Sequence, residues 1–111
     1  MNPHTERLAA RNEDLFREVN EAIERGMWLA DPSKLIRFRC ECSDMACGEA
    51  VEATLQEYEH VRRSPRRFLV ADGHVLPEVE DVVDKTDRYL VVEKKGIAGE
   101  ISETDDPRSD D

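Results

Sequence analysis

Over residues 5–26 apolar side chains recur at helical intervals. Leu8, Leu15, Val19, Ala22 and Ile23 fall three, four and seven apart with charges between them, the mark of an amphipathic helix with a single apolar stripe. Thr5 or Asn12 suits the cap, Glu13 and Asp14 an early turn, and Gly26 the end. The stripe is expected to pack onto the chain's own sheet, since about three heptads are too few for a long coiled coil. Met27-Trp28-Leu29 forms an apolar patch expected to dock the helix.

The period then changes to two. Leu35-Ile36-Arg37-Phe38-Arg39-Cys40 alternates apolar and basic residues and predicts a strand, with a short strand-like segment after it at 50–53. Thr54 and Glu57 have the spacing of a capping box and predict a helix through Arg63, stopped by Pro65. Arg67-Phe68-Leu69-Val70-Ala71 and Tyr89-Leu90-Val91-Val92-Glu93 predict two further strands, the first closed by the turn pair Asp72-Gly73. Over 77–84, Val79, Val82 and Val83 have helical spacing with Pro77 near a start, so a helix is expected there. Beyond Gly96 the chain is rich in Gly, Ser, Thr and acids, with too little apolar area to offset its ordering entropy. The expected fold is α+β: an N-terminal amphipathic helix, a small mainly antiparallel sheet and one or two short helices. It divides into a helix and linker over 1–30, a core over 31–96 and a disordered acidic tail over 97–111.

Composition sharpens this picture. Charged residues make up 38% of the 111, against about 25% in an ordinary soluble domain, and aromatics only 5%. The apolar core must be small, and small cores commonly need a metal or disulfide staple. A net charge of −10 argues against nonspecific nucleic-acid binding, where phosphate neutralisation by Lys and Arg supplies the affinity. It argues equally against an anionic membrane surface. No apolar run reaches the ~20 residues of a membrane span, and residues 1–6 lack the basic and apolar flanks of a signal peptide. A cytoplasmic location is expected, where thiols stay reduced and clustered cysteines suggest metal or redox chemistry.

The three cysteines all fall in "RCECSDMACGE", spaced Cys-x-Cys-x4-Cys. Cys40 and Cys42 stand two apart, so on a strand both point to one side. Ser43-Asp44-Met45-Ala46 allows a reversal that returns Cys47 to them. Three thiolates at one point repel unless a cation lies between them. Zn2+ suits such a set, with four tetrahedral ligands; Fe2+ is the alternative at a sulfur-rich site. For the fourth ligand there are three histidines. His4 lies in the N-terminal fringe. His74 follows a turn at a strand end and is favoured; His60, late in the capped helix, comes second. Four filled positions leave no site for water, so the centre would be structural.

Other features carry less. Arg62, Arg63, Arg66 and Arg67 form a basic cluster in an acidic chain. It suits a phosphate, an acidic partner or nucleic acid, but equally suits neutralising its own surroundings. Glu41 and Asp44 are expected to be solvated. There is no phosphate-binding Gly-rich loop, nucleophile elbow or HExxH helix, so no enzymatic activity is expected.

Taken together, "FRCECSDMAC", "TLQEYEHVRRSPRRFLVADGH", "PEVEDVV" and "YLVVEKKG" resemble a group of small uncharacterised bacterial proteins. These share F-x-C-E-C…C, a T-x-x-E-Y-E-x-V-R helix, R-F-x-V-x-x-G-H and Y-x-V-V-E-K. The resemblance spans about residues 35–96, after a helix of the "RNEDLFREVNEAIE" kind. It implies that Cys40, Cys42, Cys47 and His74 belong together. The expected function is a small zinc-binding module that contacts another protein; the alternative is a thiol switch in which oxidation releases the metal.

Overall fold

The computed structural model describes residues 3–27, 31–44, 46–106 and 108. The order of elements is α1 (Pro3–Gly26), β1 (Ile36–Arg39), β2 (Ala50–Ala53), α2 (Leu55–Val61), β3 (Arg67–Val70), β4 (Glu80–Lys85), β5 (Leu90–Lys94) and α3 (Gly96–Thr104). The fold is α+β, but its strands form two antiparallel sheets where one was expected: a β1–β2 hairpin and a three-stranded sheet in the order β3-β5-β4. A backbone bond from Glu41 N–H to Leu69 O at 2.7 Å joins the end of the hairpin to β3.

The period-two segment forms β1 as expected. Ile36 and Phe38 turn inward while Arg37 faces solvent. Thr54 caps α2: its hydroxyl accepts from Glu57 N–H at 3.1 Å, and the Glu57 carboxylate accepts from Thr54 N–H at 2.9 Å. Glu57 also receives both Arg88 Nη atoms, at 3.0 and 2.8 Å, and the Tyr89 hydroxyl at 2.8 Å. One carboxylate thus ties the start of α2 to the turn before β5. Phe38 and Tyr58 stack at 4.5 Å between centroids, in a core completed by Phe68, Leu69, Val70, Val91 and Val92.

Two elements differ from expectation. Residues 80–85 form a strand, not a helix; Val82 lies opposite Val92, and the register shifts between Val82 and Asp84. β-Branched residues favour a pleated surface, and the bulge leaves both Val82 and Val83 outside. Pro77 falls in the turn before the strand. The expected disorder is also corrected over residues 97–104; residues 107 and 109–111 lie outside the described residues. Residues 96–104 form α3, which buries Ala98, Gly99 and Ser102. Small residues there allow close approach, and a side chain at Gly99 would meet the Arg66 guanidinium.

The largest departure concerns α1, whose helical span agrees with the pattern but whose facing does so only at Ile23, which packs partly buried against the core. Leu8, Leu15 and Val19 are exposed, whereas Glu13, Asp14, Arg17, Asn20 and Glu21 are buried beside Ala10 and Phe16. Each buried charge has partners. Arg17 donates to Pro65 O at 2.7 Å, Ser102 O at 3.0 Å and Asp14 at 3.2 Å, and lies 4.5 Å over the Phe68 ring. The Lys94 ammonium, fully buried, bridges Glu13 and Glu80. Asn12 is no cap; it sits inside α1 and donates to Ser43 O at 2.9 Å. Met27 packs partly buried against the core; Trp28 and Leu29 lie outside the described residues.

Candidate metal centre

β1 delivers Cys40 to the end of the hairpin, where its N–H still donates to Glu49 O at 3.1 Å. Cys42 follows on the same side. The chain then turns on Asp44: its carboxylate accepts from Ala46 N–H at 2.9 Å and its carbonyl from Cys47 N–H at 3.0 Å. Cys47 is thereby returned to the first two thiols. From the other sheet, the turn after β3 places Gly73 at φ +86° and closes with His74 N–H on Ala71 O at 3.1 Å. That left-handed position favours glycine, and the turn aims His74 at the cysteines.

One ligand atom from each of Cys40, Cys42, Cys47 and His74 lies within 4.8 Å of all the others. His74 Nδ1 is 3.5 Å from Cys40 Sγ and 3.6 Å from Cys47 Sγ. Zn–S near 2.3 Å and Zn–N near 2.0–2.1 Å at tetrahedral angles give an S···N edge of about 3.6 Å. His74 therefore stands from Cys40 and Cys47 at distances suited to a shared tetrahedral ion, with Cys42 within 4.8 Å of all three. The other ring nitrogen, Nε2, is 3.5 Å from a Glu49 carboxylate oxygen, the kind of outer contact that orients a metal-binding imidazole. His60 is elsewhere, exposed on α2 beside Arg63 at 3.4 Å, and takes no part in the cluster. The side chain of His4 lies outside the described residues.

Burial governs the charge state of the Cys40 and Cys42 thiols. Burial pushes the Cys40 thiol far above its ordinary value, with Cys42 and Cys47 adding to the rise, and burial raises Cys42 as well. Without a cation Cys40 and Cys42 hold their protons; an ion that binds thiolates displaces them. Ala71 N–H donates to Cys40 Sγ at 3.1 Å, a bond that stabilises a thiolate. The Arg39 guanidinium, 3.9 Å over the Phe16 ring, donates to Cys47 O and brings positive charge to the knuckle. Cys40 is sealed from solvent, but a cavity of about 260 Å3 lined by Cys42, Asp44, Gly73 and His74 opens on the other side.

Glu41 corrects the expectation of a solvated carboxylate. It is fully buried and accepts from Leu69 N–H at 2.8 Å, Tyr58 Oη at 2.9 Å and Asn20 Nδ2 at 2.9 Å. Burial raises its pKa against the pull of these three donors. The period-two rule already places Glu41 on the face opposite the cysteines; α1 covers that face, which a sequence pattern does not reveal. Asp44 is exposed, and serves the turn.

The arginine cluster is largely consumed internally. Arg62 is buried between Glu21, at 2.6 Å, and Asp106. Arg66 pairs with Glu103, and Arg67 with Glu93 at 3.2 Å. Of the four, Arg62 is buried, Arg66 and Arg67 are partly covered and Arg63 is exposed, so the cluster neutralises its own acidic surroundings. Among the described residues no helix is long and apolar enough to cross a membrane. Comparison with family models, curated proteins and solved structures finds no match for this chain.

Proposed function

We propose that the protein is a small non-enzymatic zinc-binding module in which a structural Zn2+ on Cys40, Cys42, Cys47 and His74 joins the hairpin to the three-stranded sheet and so holds a surface for a protein partner. The convergence of three thiols and one imidazole from two separate sheets carries this reading. Four protein donors fill a tetrahedral shell, which is the composition of a structural site. Such a site contributes on the order of 10 kcal/mol to folding, more than a small, highly charged core offers by itself. The test is stepwise addition of a strong chelator with far-UV circular dichroism. Loss of secondary structure in step with metal removal supports the reading, and an unchanged spectrum of metal-free protein refutes it.

A second reading, a thiol switch, draws on the cavity beside Cys42 and His74. Hydrogen peroxide entering there would take two electrons from two thiolates. One S–S bond forms, the peroxide and two protons leave as two waters, and the ion loses two ligands. Reversible zinc release by mild peroxide supports the switch; thiols that resist oxidation in the loaded protein dispose of it.

A further inference from the structure

The facing of α1 points to an interface that does not depend on the metal. A surface helix normally turns its apolar stripe inward, yet here the charged arc is buried and the apolar one is left outside. Leu8, Leu15 and Val19 are 48%, 46% and 41% exposed, and Ala22 is exposed with them. At 3.6 residues per turn these four fall within an arc of about 60°. Leu8, Leu15 and Ala22 repeat every seven residues with Val19 between, which is the spacing of a coiled-coil seam.

Charge beside the stripe selects the occupant. Arg11 and Glu18 are both exposed along one edge of it, and neither forms an ion pair among the described residues. A shallow cavity of about 380 Å3, lined in part by Arg11, Leu15 and Glu18, runs along the same edge and leaves room beside them. We infer that this face pairs with the same face of a second copy of the chain, antiparallel about a two-fold axis. With Leu8 set against Val19 of the second copy, Arg11 of each helix faces Glu18 of the other, and symmetry makes every contact twice. Parallel pairing would instead set Arg11 beside Phe16 and Glu18 beside Ile23, leaving both charges unmatched. The stripe is therefore self-complementary in one direction only.

The patch is small. A standard stable interface covers roughly 800 Å2 on each partner, and four apolar side chains fall short of that. The dimer is accordingly weak, with a Kd on the order of 10–100 µM. Sedimentation of the full metal-loaded chain from about 5 to 500 µM tests it. The weight-average mass should climb toward twice the monomer. Leu15→Glu, at an exposed position, should keep the circular dichroism spectrum and weaken association at least about tenfold. Arg11→Glu and Glu18→Arg should each weaken it, and the two together should restore it. A wild-type chain that stays monomeric throughout, or a Leu15→Glu chain that associates as the wild type does, overturns the pairing and leaves the stripe to a different partner. A double swap that fails to recover overturns the antiparallel register.

Discussion

Asn20 on α1 grips both backbone groups of Arg39 on β1: its Nδ2 donates to Arg39 O at 2.8 Å, and its Oδ1 accepts from Arg39 N–H at 2.7 Å. The same Nδ2 donates to Glu41. One amide therefore stands in for a neighbouring strand immediately before Cys40, the first cysteine of the cluster. Asn20→Leu removes all three bonds and leaves buried polar groups unsatisfied, at about 1–3 kcal/mol for the first and less than additively beyond it. We expect a loss of about 2–4 kcal/mol in urea unfolding of metal-loaded protein. Asn20→Asp should be no better, since a carboxylate cannot donate to Arg39 O and repels Glu41.

Glu41 makes a related test. Glu41→Leu strands three buried donors, Leu69 N–H, the Tyr58 hydroxyl and the Asn20 amide, and should cost about 3–5 kcal/mol. Tyr58→Phe removes one of those bonds while keeping the ring stacked on Phe38, and should cost about 1–2 kcal/mol. Equal effects from the two substitutions would show that Glu41 is not the hub between α1, α2 and β3.

The charged face of α1 gives a pH dependence with a definite sign. Burial first of all raises Glu13 to about 8, Asp14 to about 7 and Glu24 to about 8. Glu13 shares a single ammonium, that of Lys94, with Glu80, so a proton on it relieves an unbalanced buried charge. Each of the three titrates higher folded than unfolded, so the native state binds more protons than the unfolded chain between pH 4.5 and 8. Stability from these groups falls as pH rises through that window. Amide exchange in α1, corrected for intrinsic rates, should show less protection at pH 8 than at pH 6. Protection that increases with pH would contradict this assignment. Metal binding moves the opposite way, since its ligands must lose protons, so the comparison needs saturating Zn2+.

Much of the fold was legible because local chemistry decided it. The Thr54–Glu57 box, the alternation into β1 and the Asp72-Gly73 turn each depend on residues next to one another. The cysteines were legible too, since the Cys40 and Cys42 spacing sets both on one side of an extended chain. What stayed hidden depends on residues far apart. Arg17 reads as a solvated charge until Pro65 and Ser102 offer it carbonyls, and Lys94 does so until α1 brings it Glu13. The exposed Leu8–Leu15 stripe follows from the same cause, because the charged arc had already taken the inside of the helix. Val82 and Val83 matched a helical interval by accident of a bulge, and α3 turns the small residues Ala98, Gly99 and Ser102 inward while its large apolar Ile97 stays exposed, so no apolar stripe announces it.

Glu49 tests the orientation of the fourth donor. Its carboxylate is 3.5 Å from His74 Nε2 but largely exposed, so Glu49→Gln should weaken Zn2+ binding by only about tenfold, the low end for an outer contact. Competition with a chromophoric chelator measures this directly. His74→Ala should weaken it far more, and His60→Ala not at all.

Elemental analysis of freshly purified protein by mass spectrometry bears most directly on the central claim, that four side chains share one structural ion. The expected result is about one zinc per chain in the wild type, with little zinc in Cys47→Ser. Wild-type protein that is folded and carries neither zinc nor any other transition metal would contradict the claim outright.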